Sequence, residues 1–249
     1  MPWNFGGDRL LVIAHRGASR EAPENTAAAI RLAFRRCADM VELDVQLTRD
    51  GRVVIFHDDR LERTSTGCGR LMRLRYRELR RLDTGSWWSP RFRGERILLA
   101  SEALRMCPPS GGVNLELKRT SRPQVLIRGI VRCVRRRGMQ RRVLLSSFDG
   151  ALLARLKAAA PGTVRALLCA RRPWAALRRA VALECVALHP HHAITTRALV
   201  QRAHAQGVRV HVWTVDRLAE ARRLLRMGVD GLVTNIPGRM HALHGVDVS

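Results

Sequence analysis

The chain has no long apolar run. Its first nine residues lead into the short run Leu10-Leu-Val-Ile-Ala14, with no basic flank followed by a long greasy segment, so neither a signal peptide nor a membrane span is expected. Paired cysteines are missing too. The six cysteines, at 37, 68, 107, 133, 169 and 185, never fall in a CxxC spacing, which excludes a zinc or redox centre of that kind. Reduced thiols in a cytoplasmic protein are expected. Lysine is nearly absent, with only Lys118 and Lys157, and acids are scarce: 21 Asp and Glu face 45 Lys and Arg, for a formal charge of +24. A charge of that size brings nucleic acid and anionic membranes into consideration. The arginines, however, run through almost every expected helix rather than one stripe or tail. They read as a compositional bias, with no specific nucleic-acid partner, a weak attraction to anionic surfaces and faster capture of an anionic substrate.

What is present is ample core material: 249 residues, 46% of them hydrophobic. Apolar, often β-branched runs at 10–14, 40–45, 112–117, 143–147, 164–168, 185–189, 208–213 and 231–234 read as strands. Stretches with helical spacing lie between them, at 26–37, 125–137, 150–160, 173–181, 196–206 and 217–226. Eight βα units in one domain over 1–249 is the size of an α/β (β/α)8 TIM barrel. A further apolar run, Val53 to His57, follows the second strand after a turn too short for a parallel crossover. Residues 45–57 are therefore expected as a hairpin that brings His57 back over the barrel mouth. Residues 58–99, rich in turn chemistry with one amphipathic piece near 74–82, read as a small insertion above it.

The reactive residues collect at strand ends. His15 and Arg16 follow the first strand, Glu42 and Asp44 end the second, Glu116 and Lys118 the third, Phe148 follows the fourth and Trp213 ends the seventh. The C-terminal mouth is where barrel enzymes build their sites. Glu42 and Asp44 are two apart on a strand and share a face, as do Glu116 and Lys118. Three carboxylates converging in a barrel repel one another unless a cation neutralises them, and all-oxygen ligation suits one hard divalent ion, Mg2+ or Ca2+. The plainer alternative is a Glu116–Lys118 ion pair with Glu42 and Asp44 solvated at the rim. His189-Pro-His-His192 has the look of a metal tract but reads better as an ordinary loop.

Ala14-His-Arg-Gly-Ala18, Pro23-Glu-Asn-Thr26, Glu42-Leu-Asp-Val-Gln-Leu-Thr48, Asp50-Gly51, His57-Asp58, Leu61-Glu-Arg-Thr64, Asn114-Leu-Glu-Leu-Lys118, Ser147-Phe-Asp149, Val212-Trp-Thr-Val215 and the run from Gly228 to Pro237 occur in this order. Together they resemble the glycerophosphodiester phosphodiesterases, over nearly the whole chain. The resemblance implies a PLC-like phosphodiesterase barrel that hydrolyses glycerophosphodiesters to glycerol 3-phosphate and an alcohol. By it, His15 and His57 form the general acid–base pair, in either order. Arg16 and Lys118 bind the phosphate, Trp213 rests against the glycerol, and Glu42, Asp44 and Glu116 hold the metal. Glu24, Asn25 and Asp58 stand behind them, with Asn25 or Thr26 also the expected helix N-cap and Asp58 a brace for His57. One departure is Ile97-Leu98-Leu99, where the family usually carries Ile-Pro-Thr. Two other readings accompany this one. A lysophospholipase D would keep the site and use Trp87, Trp88, Phe92 and Leu98-Leu99 as an acyl groove; a non-catalytic basic barrel would bind nucleic acid or anionic membrane without turnover.

Overall fold

Side-chain alternation along the strands decides the architecture. The computed structural model describes residues 9–243 together with Phe5 and Gly7; positions 1–4, 6, 8 and 244–249, the extremes of the expected 1–249 domain, lie outside the described residues. The strands are β1 (Leu11–His15), β2 (Met40–Leu47), β3 (Val53–Ile55), β4 (Gly112–Leu117), β5 (Val143–Ser147), β6 (Val164–Cys169), β7 (Ala187–Pro190), β8 (Arg209–Val212) and β9 (Gly231–Thr234). All except β3 run parallel, and β1 pairs with both β2 and β9, which closes an eight-stranded barrel. Leu11 and Ile13 point inward with Met40, Leu144, Ala166, Ala187 and Val233 and fill the barrel floor. Their neighbours Val12 and Ala14, with Leu43 and Leu115, face outward into the main core under the helices.

Those helices are α1 (Ala27–Arg35), α2 (Tyr76–Leu79), α3 (Ala100–Arg105), α4 (Pro123–Arg136), α5 (Gly150–Ala159), α6 (Pro173–Ala182), α7 (Arg197–His204), α8 (Leu218–Leu225) and α9 (Pro237–His241). Local chemistry sets their ends. Thr26, Asp149 and Thr196 accept backbone N–H groups as N-caps of α1, α5 and α7, and proline opens α4, α6 and α9. Helix 26–37 stops at Arg35 because Cys37 turns left-handed (φ 58°). The strand expected at 185–189 begins two residues later. Glu184 is left-handed (φ 52°) and the Cys185 N–H still bonds Ala180, so this stretch finishes α6. Of the helical piece expected at 74–82, only Tyr76–Leu79 is helix.

β3 pairs antiparallel with β2 through Val45–Ile55 and Leu47–Val53, forming the expected hairpin. Under the insertion, Val54, Phe56, Leu61, Leu71, Leu79 and Ile97 make a satellite core of their own. The atypical Ile97-Leu98-Leu99 segment fits this frame: Ile97 enters the satellite core, Leu98 the main core, and the Leu98 carbonyl accepts from Ile55. α3 thereby starts without a hydroxyl cap, and Glu102 compensates by accepting the Leu99 N–H at 2.8 Å.

The histidine tract does not act as a cluster. His189 is buried inside the barrel with its Nε2 3.1 Å from His211 Nδ1, whereas His191 accepts from the Ala193 N–H on the rim. Burial pushes His189 down to about 3 and holds His211 well below the usual imidazole range, so both are neutral when folded. Unfolded imidazoles protonate below about 6.5, so stability is complete above that pH and declines as the pH falls from there towards about 3. Urea midpoints at about pH 7.5 and about pH 5 are therefore expected to differ, and the H189L/H211L variant to narrow the gap. An unchanged gap in the variant contradicts the assignment.

Candidate active site

Register alone brings the inferred groups together. β1 and β2 pair His15 with Glu42, and β2 and β4 pair Asp44 with Glu116. At the end of β1 the chain turns through Arg16 (φ 56°) and Gly17 (φ 84°), and a Cβ on Gly17 would lie 2.6 Å from the Ala29 backbone. Only glycine permits that approach. The turn delivers the Arg16 N–H to Glu42 Oε2 at 3.0 Å and the guanidinium to Glu24 at 2.9 Å and Asp44 at 3.3 Å.

Glu42, Asp44 and Glu116 each offer a carboxylate oxygen within 4.8 Å of the others. Glu42 and Asp44 are 4% and 1% exposed, so their charges meet with little water to separate them. Burial and then the Asp44 and Glu116 charges drive Glu42 well above the ordinary carboxylate range; burial and Asp44 raise Glu116 as well. Asp44 moves the other way. Burial opposes its ionisation, but Lys118, Arg16 and His57 together hold it below the ordinary value. Lys118 Nζ reaches Asp44 at 2.8 Å and Glu116 at 2.6 Å, so the ion pair of the plainer reading exists, within a buried three-carboxylate cluster and not beside solvated rim residues. Glu42 Oε1 is buried without a hydrogen-bond partner. A hard donor set with an orphaned carboxylate oxygen fits a divalent cation.

The helix cap resolves in favour of Thr26. Asn25 instead turns left-handed (φ 61°), donates from Nδ2 to Asp44 Oδ2 at 2.8 Å and accepts the Asp44 N–H at 3.2 Å. His15 Nδ1 lies 2.8 Å from Asn235 Oδ1, and Asn235 is itself oriented by donating from Nδ2 to Asp216 at 2.6 Å. Because that amide oxygen can only accept, His15 Nδ1 carries the proton and Nε2 is left with the lone pair. Burial and the Arg16 charge lower the His15 pKa. On the other wall His57 Nδ1 stands 2.5 Å from Asp58 Oδ1. Burial disfavours the Asp58 carboxylate, but bonds from Arg63 and His57 outweigh it and keep the carboxyl below its ordinary range.

A model of the glycerophosphoryl diester phosphodiesterase family matches residues 15–239. The chain belongs to this family. It is 36% identical over 237 residues to a glycerophosphodiester phosphodiesterase of Caldanaerobacter subterraneus subsp. tengcongensis, covering 92% of this chain and 95% of that one. It is 34% identical over 250 residues to a probable glycerophosphodiester phosphodiesterase of Mycobacterium tuberculosis, covering 93% and 91%. Among solved structures, an Oleispira antarctica phosphodiesterase in complex with the product sn-glycerol-3-phosphate superposes with a TM-score of 0.88 at 33% identity, covering 93% and 95%.

In this family member Trp213 stands apart from the carboxylates. It follows β8, opposite β4 in the ring, and is fixed by its Nε1 donating to the His189 carbonyl at 2.7 Å. Edge-on contacts to Phe148 at 5.4 Å and His191 at 5.0 Å make an aromatic rim there. Between His57 and Lys118 a cavity of about 800 Å3 opens, lined also by Gln46, Arg70, Met72 and Arg119. Three residues without an assigned role prove structural to the site. Arg63 bridges Glu24 at 2.7 Å and Asp58 at 2.5 Å, joining the supports of Arg16 and His57. Gln46 Nε2 donates to the carbonyls of Phe56, His57 and Asp58 and pins that segment. Asn235 orients His15. All three fall within the quoted motifs, and their polar character inside apolar or turn sequence was the available signal. Nitrogen NMR of His15 is expected to show the Nδ1-protonated tautomer, and Asn235→Ala a mixture of tautomers; an Nε2-protonated ring in the parent contradicts the arrangement.

Proposed function

We propose that this protein hydrolyses glycerophosphodiesters to glycerol 3-phosphate and an alcohol, with one divalent cation, Mg2+ or Ca2+. The observation that carries the reading is the placement of two imidazoles, His15 and His57, around a buried carboxylate cluster faced by Arg16 and Lys118. The product-bound Oleispira relative supports the substrate class. Arg16 and Lys118 offset the negative charge by which a phosphodiester resists attack and stabilise what accumulates on its non-bridging oxygens. Glu42, Asp44 and Glu116 would hold the cation, which supplies Lewis-acid polarisation of the same oxygens when bound.

The environments of the histidines divide their labour. His15, lowered in pKa and with Nε2 left basic, takes the proton from the attacking hydroxyl, whether water or the substrate's own glycerol 2-hydroxyl. His57, held at its Nδ1 by the Asp58 carboxylate, presents Nε2 to the mouth and donates to the departing alkoxide. Trp213, with Phe148 beside it, offers a ring face for the glycerol moiety, and the cavity beside His57 receives the alcohol.

That cavity argues against a lysophospholipid. Its walls are polar and charged apart from Leu47 and Met72. None of the residues expected to form an acyl groove lines it: Trp87 and Trp88 pack edge-on against each other with Trp87 exposed, and Leu98 lies in the main core. Glycerophosphocholine is expected to turn over well ahead of lysophosphatidylcholine; dominant release of lysophosphatidic acid would reverse the reading.

Chelation with EDTA is expected to abolish turnover and Mg2+ or Ca2+ to restore it. His15→Ala and His57→Ala are each expected to lose about 10²–10⁴-fold in kcat. The acid limb of kcat/KM should fall below the 6.5 of a free imidazole, because a base with a lowered pKa stays deprotonated further into acid. Metal-independent turnover, or an acid limb above 6.5, counts against this mechanism.

A further inference from the structure

Although the sequence scatters arginine along its length, the fold gathers a subset on one flank, outside the cavity beside His57. An open depression of about 670 Å3 is lined by Arg52, Arg77, Arg80, Arg81 and Arg96, beside Tyr76 and Asp50. Asp50 is already committed, accepting from the Thr48 hydroxyl at 2.6 Å and the Tyr76 N–H at 3.0 Å, and Arg96 comes no nearer than 4.0 Å to Asp83. On α4, Arg128, Arg132 and Arg135 follow i, i+4, i+7 spacing, with Arg136 adjacent. They rim a shallow apolar groove of about 320 Å3 whose floor is Ile127, Val131, Ala159 and Ala160.

Arg52 makes these two features one surface. It sits at the entry to β3, where the neighbouring Val53 packs so closely on α4 that a Cβ at Gly129 would meet it at 2.6 Å. Cys133 of α4 lies in the combined field of Arg52, Arg132 and Arg136. Acids are few around the α4–α5 groove, while the depression holds Asp50 in its lining, with Glu78 on α2 and Asp83 near Arg96. Between Glu116 and Glu184 the chain holds only Asp149, which is spent on capping α5.

We propose that this flank is a docking surface for an anionic phospholipid bilayer. Guanidinium groups pair with phosphate in a bidentate manner, and a row of them on an amphipathic helix is drawn to a negative lipid surface. The apolar floor of the α4–α5 groove favours lipid over nucleic acid, because it matches the glycerol and upper acyl region beneath the headgroups and offers nothing to a sugar–phosphate backbone. Single-strand binding would need stacking platforms, and Tyr76, whose hydroxyl is engaged with Glu102 at 3.1 Å, is the one aromatic lining the arginine depression. The location also suits the chemistry proposed above, since a glycerophosphodiester is what complete deacylation of a phospholipid leaves at a bilayer. The docking itself stands whether or not that reaction is the right one.

The test is co-sedimentation with vesicles of phosphatidylcholine alone or mixed with phosphatidylglycerol, at about 0.1 M salt. The parent should bind the mixed vesicles and release them as salt rises. R80Q/R81Q/R132Q/R136Q should bind at least about tenfold more weakly. R202Q/R217Q/R222Q/R226Q, which removes the same charge from the α7–α8 side, should stay within about twofold of the parent. The milder R132Q/R136Q pair should weaken binding in the same direction and serves should the fourfold variant fail to fold, with circular dichroism as the check. Equal losses in the two fourfold variants assign the binding to net charge and overturn the proposal. So do a parent that ignores phosphatidylglycerol and a DNA competitor that binds more tightly than the vesicles.

Discussion

Three carboxylates forced together with almost no water between them are the constraint around which the rest of the site is arranged. Glu42, Asp44 and Glu116 project inward from two neighbouring strands, Asp44 level with Glu116 and Glu42 one inward position below, and strand register holds them there. Burial first and then their mutual repulsion raise Glu42 and Glu116, and the cluster is tolerated because cations and amide donors surround it. Arg16 approaches from the β1 turn, Lys118 from the end of β4, and Asn25 from just ahead of α1. Each is fixed by a local backbone feature as much as by charge, notably the left-handed conformations of Arg16, Gly17 and Asn25. The same arrangement that makes the cluster costly is what the proposed binding of a hard cation and, beside it, a phosphate draws on.

Around this centre the protein uses orientation more than exotic chemistry. Asp216 fixes Asn235, Asn235 fixes His15, and Asp58 with Gln46 fixes His57. Arg63 links the two walls by holding both Glu24 and Asp58. The inner aliphatic layer below and the satellite core above seal the site from the floor and from one side.

Much of this was legible in the sequence because it follows from short-range periodicity. Residues two apart on a strand share a face, so Glu42 with Asp44 and Glu116 with Lys118 could be placed before any coordinates, and a four-residue turn after Leu47 forced His57 into an antiparallel return. What lacked a local signature was the bracing. Asn235 meets His15 across 220 positions and Arg63 meets Glu24 across 39, and no spacing rule connects such pairs. The choice of Thr26 over Asn25 as the cap was likewise decided by a tertiary contact, the pairing of Asn25 with Asp44. Nor could the arginines be sorted by face from composition, because Arg52 and the α4 stripe meet only through the packing of Val53 on Gly129.

The central claim is that the charge of Glu42 is unfavourable to the metal-free fold and is kept for binding a cation. Thermal melting of the parent and of Glu42→Gln, each with EDTA and with millimolar Mg2+ or Ca2+, tests it most directly. In EDTA at neutral pH the neutral isostere should melt at a higher temperature than the parent, because burial and then Asp44 and Glu116 disfavour the Glu42 charge and the parent must take up a proton to fold without the ion. The divalent ion should then raise the parent's Tm with concentration and leave the variant's unchanged. A glutamine variant that melts lower than the parent in EDTA, or that still gains Tm from the ion as the parent does, would contradict the account.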